Sequence, residues 1–232
     1  MMKTSRLILA ALFLVSASYA GTLTLETSAA GLGANDTVNW SQLGPDSTAL
    51  GNSFSATSAN SDSVSGAFSA STGEVVDVGT SWGPASGAFT NSDALIWAND
   101  GTNGTGPVAF TFPTVFGAGA AIQSDQPGQF TAQIQLFSGA TSLGTESVTS
   151  DVAGDAIFIG ALDTADEVTK AVFSLTAVTA GDSYGNSLGD FAVDTLNLTE
   201  PVSSTPEPGS VLMLMGGLAG LSLPRRRFFG RA

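Results

Sequence analysis

The chain has 232 residues, with 7 Lys and Arg against 20 Asp and Glu, and no cysteine or histidine. These absences exclude disulfides, serine–histidine and cysteine–histidine nucleophile pairs, imidazole bases, and zinc or copper sites of the usual nitrogen and sulfur ligands. Lys170 is the one basic residue between 21 and 209, which hold all the acids, so 1 − 20 gives that stretch a formal charge of −19. Such a surface repels nucleic acid and anionic membranes but remains compatible with divalent cations and neutral polymers.

At the start, Lys3 and Arg6 precede an apolar run from Leu7 to Val15, and Ser18-Tyr19-Ala20 puts small residues at the positions a signal peptidase inspects. The run is about half the roughly 20 residues a spanning helix needs. The pattern predicts a secretory signal peptide over 1–20, cut between Ala20 and Gly21.

From Gly21 onward the apolar residues alternate at period two, and helix-period stripes are hard to find. Trp40 and Trp97, set in apolar alternation, read as core. The low-complexity stretch 55–72 reads as a long loop or weak strand. Val108, Phe110 and Phe112 share one face of a predicted strand. Phe130, Ala132, Ile134 and Leu136 share another, with Thr131, Gln133 and Gln135 on its wet side. Residues 156–162 continue the pattern, as do 171–177, with Ala171, Phe173, Leu175 and Ala177 in phase, and 191–198 close the series. Turn formers such as Gln126-Pro127-Gly128 and Ser138-Gly139 stand between these runs. Strands without intervening helices predict one all-β domain over 21–199, a single antiparallel β-sandwich.

Residues 200–209 read as an extended linker holding Pro206-Glu207-Pro208, 210–224 as an uncharged hydrophobic segment, and 225–232 as a basic tail opening with Arg225, Arg226 and Arg227. Arginines after an apolar segment favour a cytoplasmic end, with the domain outside. Fourteen apolar residues give roughly 21 Å against a hydrocarbon core of about 30 Å, so the span is short.

This order resembles the PEP-CTERM sorting signal of exopolysaccharide-producing Gram-negative bacteria. Pro206, Glu207 and Pro208 match the motif and Arg225 to Arg227 the basic stop. The resemblance implies recognition by an exosortase, a membrane transpeptidase-like enzyme thought to cut near the motif. It also implies that residues 210–224 hold the membrane before processing. The expected destination is the cell surface, outer membrane or extracellular matrix. Within the domain, LGANDTVNWSQL, DALIW, FTAQIQLFSG, AIFIGAL and DFAVDTLNL are similar to landmarks of secreted proteins of this class whose function is undefined.

Three groups of residues are candidates for chemistry. Trp82 sits among turn formers in Gly79-Thr80-Ser81-Trp82-Gly83-Pro84, where an indole either stacks on a sugar or plugs the core. Asp194 shares a strand face with Ala192, Leu196 and Leu198, and a buried carboxylate in that phase needs a partner or a cation; capping a turn is the other reading. The last strand also resembles that of jelly-roll carbohydrate-binding modules, which implies a jelly-roll-like sandwich and a structural calcium held by Asp194 with Glu26 from the first strand. Asp163, Asp166 and Glu167 could serve a glycosidase as acid and base, or be solvated surface. The leading expectation is a non-enzymatic surface protein binding polysaccharide or contributing to the matrix; the alternative is a surface glycoside-active enzyme built on carboxylates.

Mass spectrometry of surface material is expected to yield no peptides from residues 1–20, and none beyond the Pro206 to Pro208 region if the tail is processed. Intact Arg225 to Ala232 peptides on released protein would contradict processing. Replacing Arg225, Arg226 and Arg227 with serine should mislocalise the protein.

Overall fold

A computed structural model describes residues 22–69, 72–99, 106–163, 167–179, 188 and 190–201. Ala20, Gly21, Asp166, the Pro206, Glu207 and Pro208 motif, segment 210–224 and Arg225 to Arg227 lie outside the described residues. Among the described residues, no helix is long and apolar enough to cross a membrane.

The chain opens with β1 (Thr24–Glu26), a one-turn helix α1 (Ala29–Leu32), β2 (Asp36–Val38) and a 3-10 turn (Trp40–Leu43). It continues through β3 (Thr48–Leu50), β4 (Ser53–Thr57), β5 (Ser63–Phe68), β6 (Thr72–Asp77), β7 (Ala94–Asn99), β8 (Val108–Val115) and β9 (Gly117–Ser124). The series ends with β10 (Phe130–Ser138), β11 (Thr141–Thr149), β12 (Ile157–Leu162), β13 (Val168–Val178), β14 (Phe191–Val193) and β15 (Leu196–Thr199). Two antiparallel sheets result. The first is nine-stranded, in the order β1-β12-β9-β14-β7-β6-β3, with β15 beside β9 and β2 beside β15. The second is six-stranded, in the order β11-β10-β13-β8-β5-β4. The fold is an all-β sandwich.

Alternation explains the second sheet. Phe130, Ala132, Ile134 and Leu136 of β10 are fully buried, while Thr131, Gln133 and Gln135 are partly exposed. Val108, Phe110 and Phe112 of β8 face the same core. The stretch read as a loop or weak strand is a paired hairpin, β4 with β5. The serines of its strands face out while Ala56, Val64 and Phe68 face in, so small residues disguised an ordinary strand pair.

Two expected phases slip, each at an extra residue. Thr131 pairs with Ala177 but Ala132 with Leu175, so Thr176 bulges. Ala177 is therefore exposed rather than in phase, and Val178 packs on the core. At the end of the chain Val193 pairs with Ile122 and Asn197 with Gly119, leaving Asp194 to Leu196 opposite only Ala120 and Ala121. The expectation that Asp194 shares a face with Leu196 and Leu198 fails for this reason: a bulge shifts the period by one.

The central strand β9, GAGAAIQS, is buried almost throughout and pairs with β12 on one side and with β14 and β15 on the other. Its glycines permit close approach. A Cβ at Gly119 would lie 2.7 Å from the Cα of Gly160 and 2.7 Å from the Phe158 ring.

Trp40 is fully buried, as expected, although it sits on the 3-10 turn rather than a strand. Its ring stacks on Phe110 with centroids 5.1 Å apart and meets Phe54 edge-on at 6.0 Å. Its indole N–H donates to the carbonyl of Asp194 at 2.9 Å.

That bond helps fix a bulge whose side chain is itself perturbed. Burial pushes the Asp194 carboxyl up to about 6; the N–H of Thr195, donating to Oδ1 at 2.6 Å, opposes this, and nearby Asp93 adds to the rise. The folded value exceeds the roughly 3.9 of an unfolded aspartate. The stabilisation is therefore complete below about pH 4 and lost as pH rises through about 6. Asp194→Asn keeps an acceptor for Thr195 and should raise the melting temperature above pH 6.5 while leaving it unchanged below pH 4. The gap should be on the order of 2–3 kcal/mol, and a pH-independent difference in thermal scans would contradict this account.

Candidate functional site

Between β6 and β7 the chain folds back over the outer face of the nine-stranded sheet. Val78, at the start of this loop, and Phe89 are buried there with Val76, Leu95, Ala121, Ala156 and Ala192, in a cluster separate from the main core. The loop is held at its base by Asp46, whose Oδ1 accepts from the N–H of Asp77 at 2.7 Å and from the hydroxyl of Ser81. The Ser81 hydroxyl and then the Asp77 N–H hold the Asp46 carboxyl below the usual carboxylate range. Gly79, with φ of 84°, turns the backbone, and the N–H groups of Thr80 and Trp82 both reach the carbonyl of Asp77.

This geometry presents Trp82 beside Trp97 of β7, centroids 6.2 Å apart and planes 67° to each other. Trp82 is half-buried, and its indole N–H donates to Oε1 of Gln123 at 2.8 Å. The amide of Gln123 donates in turn to Ser86 Oγ and to the carbonyl of Gly154, both at 3.0 Å. The Trp82 indole is thereby held in one orientation. The two rings wall a cleft of about 390 Å³, completed by residues 81, 83, 123–127 and 153–154. The cleft joins apolar ring faces to amides, hydroxyls and the carboxylate of Asp125, a combination suited to polyhydroxylated ligands.

Trp82 does not plug the main core; it packs half-buried on the outer cluster and walls the cleft. Trp97 is a correction, since it is only partly buried and belongs to this outer cluster rather than to the main core. Its side chain projects from the outer face because β7 alternates, sending Ile96 and Ala98 inward. Nothing in local composition marks Gln123 as the residue that joins the loop to the sheet.

The implied pairing of Glu26 with Asp194 does not form. Glu26 pairs with Gly160, Gly160 with Gly119, and Gly119 with Asn197. Two strands therefore separate β1 from β15, about 14 Å at the usual strand spacing. The carboxylate of Glu26 lies against Gly31 of α1, and Asp194 holds the N–H of its own neighbour Thr195, as a capping residue does. Asp163 is fully buried at the end of β12, whereas Glu167 is exposed. The reading of Asp163 as solvated surface is therefore corrected.

A different set of carboxylates converges at one end of the sandwich. Asp36 of β2, Asp62 before β5 and Glu200 after β15 each bring an oxygen within 4.8 Å of the others. Asp36 is 2% exposed; its Oδ1 accepts from the N–H groups of Thr37 at 2.8 Å and Asn60 at 2.9 Å. Asn60 Nδ2 donates to Glu200 Oε2 at 2.8 Å, and the N–H of Glu200 to Asn35 Oδ1 at 2.7 Å. Desolvation first, and then the neighbouring carboxyls of Asp62 and Asp36, raise the Glu200 carboxyl above its ordinary value, against the Asn60 amide. These three acids are far apart in sequence, and only the fold reveals them as a group.

The chain matches no protein-family model, and no curated protein matches it in sequence.

Proposed function

We propose that this chain is an exported, non-enzymatic surface protein that binds neutral polysaccharide in the cleft between Trp82 and Trp97. The observation that carries the reading is the fixed pair of indoles, one locked through Gln123, at the wall of a cleft that also offers polar groups. A sugar ring has an apolar face of C–H groups and an equator of hydroxyls, so indole stacking with amide and carboxylate partners meets both. The formal charge of −19 over residues 21–209 favours a neutral polymer over an anionic one.

A glycoside hydrolase of the usual kind needs two carboxyl groups flanking the bond to be cut. Among the described residues the cleft is lined by one, Asp125, which supports binding over hydrolysis. The signal peptide and the Pro206, Glu207, Pro208 and arginine pattern support delivery by an exosortase-type system to the surface or the exopolysaccharide matrix.

Tryptophan fluorescence of the full chain should shift on titration with a soluble neutral glucan and not with a polyanionic polymer at equal mass. Trp82→Ala should weaken glucan binding at least tenfold while shifting the melting temperature by only a few degrees, since the ring is half-buried. Undiminished binding by the variant would rule out this cleft. A fall of many degrees would show that the indole serves mainly as a plug.

A further inference from the structure

We propose that Asp36, Asp62 and Glu200 form a divalent-cation site, with calcium the ion it takes, joining the two sheets at one end of the sandwich. The site is separate from the cleft and does not depend on its function. Asp36 enters from β2 of the nine-stranded sheet. Asp62 comes from the turn between β4 and β5 of the six-stranded sheet, and Glu200 from the residue directly after β15.

The buried oxygens indicate that a ligand is required. With Asp36 98% buried and its Oδ1 occupied by two N–H groups, Oδ2 is sealed from solvent and has no hydrogen-bond partner among the described residues. Oε1 of Glu200 is in the same condition, while Oε2 is held by Asn60. A carboxylate oxygen left this way is costly unless a positive charge or a proton shared with a neighbouring carboxyl reaches it. No basic residue of the sandwich is free to do so. Lys170 is the only one between 21 and 209, and its ammonium lies 3.8 Å above the Phe137 ring.

The ligand chemistry selects the ion. An all-oxygen set with no imidazole or thiolate in the chain suits a hard cation, not zinc or copper. Carboxylate oxygens within 4.8 Å of one another fit around one ion at calcium–oxygen distances of about 2.3–2.6 Å. Asp62 is half-buried, so one side of the site is open to the waters that would complete about six to eight ligands. The hydrogen bonds from Asn60 and the Thr37 N–H leave Asp36 Oδ2 and Glu200 Oε1 as the oxygens available to the metal.

The test uses the full chain, stripped with a chelator and titrated with calcium chloride by calorimetry. Melting curves are run in parallel with calcium, magnesium and sodium chlorides at equal ionic strength. The expected result is saturable binding of one calcium per chain and a melting temperature raised beyond the sodium control. Asp62→Asn and Glu200→Gln should each weaken calcium binding at least tenfold and abolish the calcium-specific melting shift. These two lie nearer solvent than Asp36, so they remain informative if Asp36→Asn does not fold. Glu26→Gln and Asp194→Asn should bind calcium as the parent does. Absence of a saturable heat together with equal melting shifts in calcium and sodium would overturn the proposal, as would full affinity in an Asp62→Asn, Glu200→Gln double variant. Magnesium binding as tightly as calcium would overturn the choice of ion.

Discussion

The indole N–H of Trp40 donates to the carbonyl of Asp194, and a chain of consequences runs through that bond. Trp40 is stacked on Phe110 of the six-stranded sheet, while Asp194 belongs to the bulged last strand of the other sheet. One side chain therefore ties the middle of one sheet to the irregularity of its partner. The bulge in turn resets the alternation, so that Val193 and Leu196, three residues apart, both reach the main core. Without that extra residue, Leu196 and Leu198 would face outward, and the strand would deliver Glu200 to the wrong side of the sheet.

The same constraint marks where sequence reasoning succeeds and where it stops. Strands with one wet face and large apolar residues, such as β8 and β10, are legible because alternation records burial directly. Strand β9 is not, because a strand covered on both faces and closely approached by its neighbours needs glycine and alanine, which carry no alternating signal. The β4–β5 hairpin was obscured by its serines. Thr176 and Asp194 mark bulges that exist only as a mismatch between two strands, so neither Ala177 nor Asp194 could be phased from its own segment. At the cleft, the exceptional setting of Trp82 among turn formers was visible. Its partners Trp97 and Gln123 became so only once β7 and β9 lay in one sheet.

Charge distribution gives the fold its second theme. A domain with one lysine cannot neutralise its acids by ion pairs, so carboxylates that shape its loops take other donors. Asp46 takes N–H and hydroxyl donors from the loop it anchors. Asp151 gathers the N–H groups of Ala153, Gly154 and Asp155 at 2.9–3.1 Å, shaping the turn on the far wall of the cleft. Backbone dipoles thus do much of the work that lysine and arginine do elsewhere. The loops so formed are the ones that frame the two indoles.

The position of β15 has a mechanical consequence. This strand is not at an edge: β9 lies along one side and β2 along the other, and Glu200 and Pro201 follow it directly. Tension applied at Pro201 along the strand axis acts parallel to β15, so its ladders on both sides are loaded together, in shear, rather than opened one hydrogen bond at a time from an edge. The side chain of Asn35 adds a clasp at the exit, with Oδ1 accepting from the N–H of Glu200 and Nδ2 donating to its carbonyl at 3.2 Å. A module pulled from this end gives way only when several bonds fail at once, and its rupture force should far exceed that of the same strand peeled from a sheet margin.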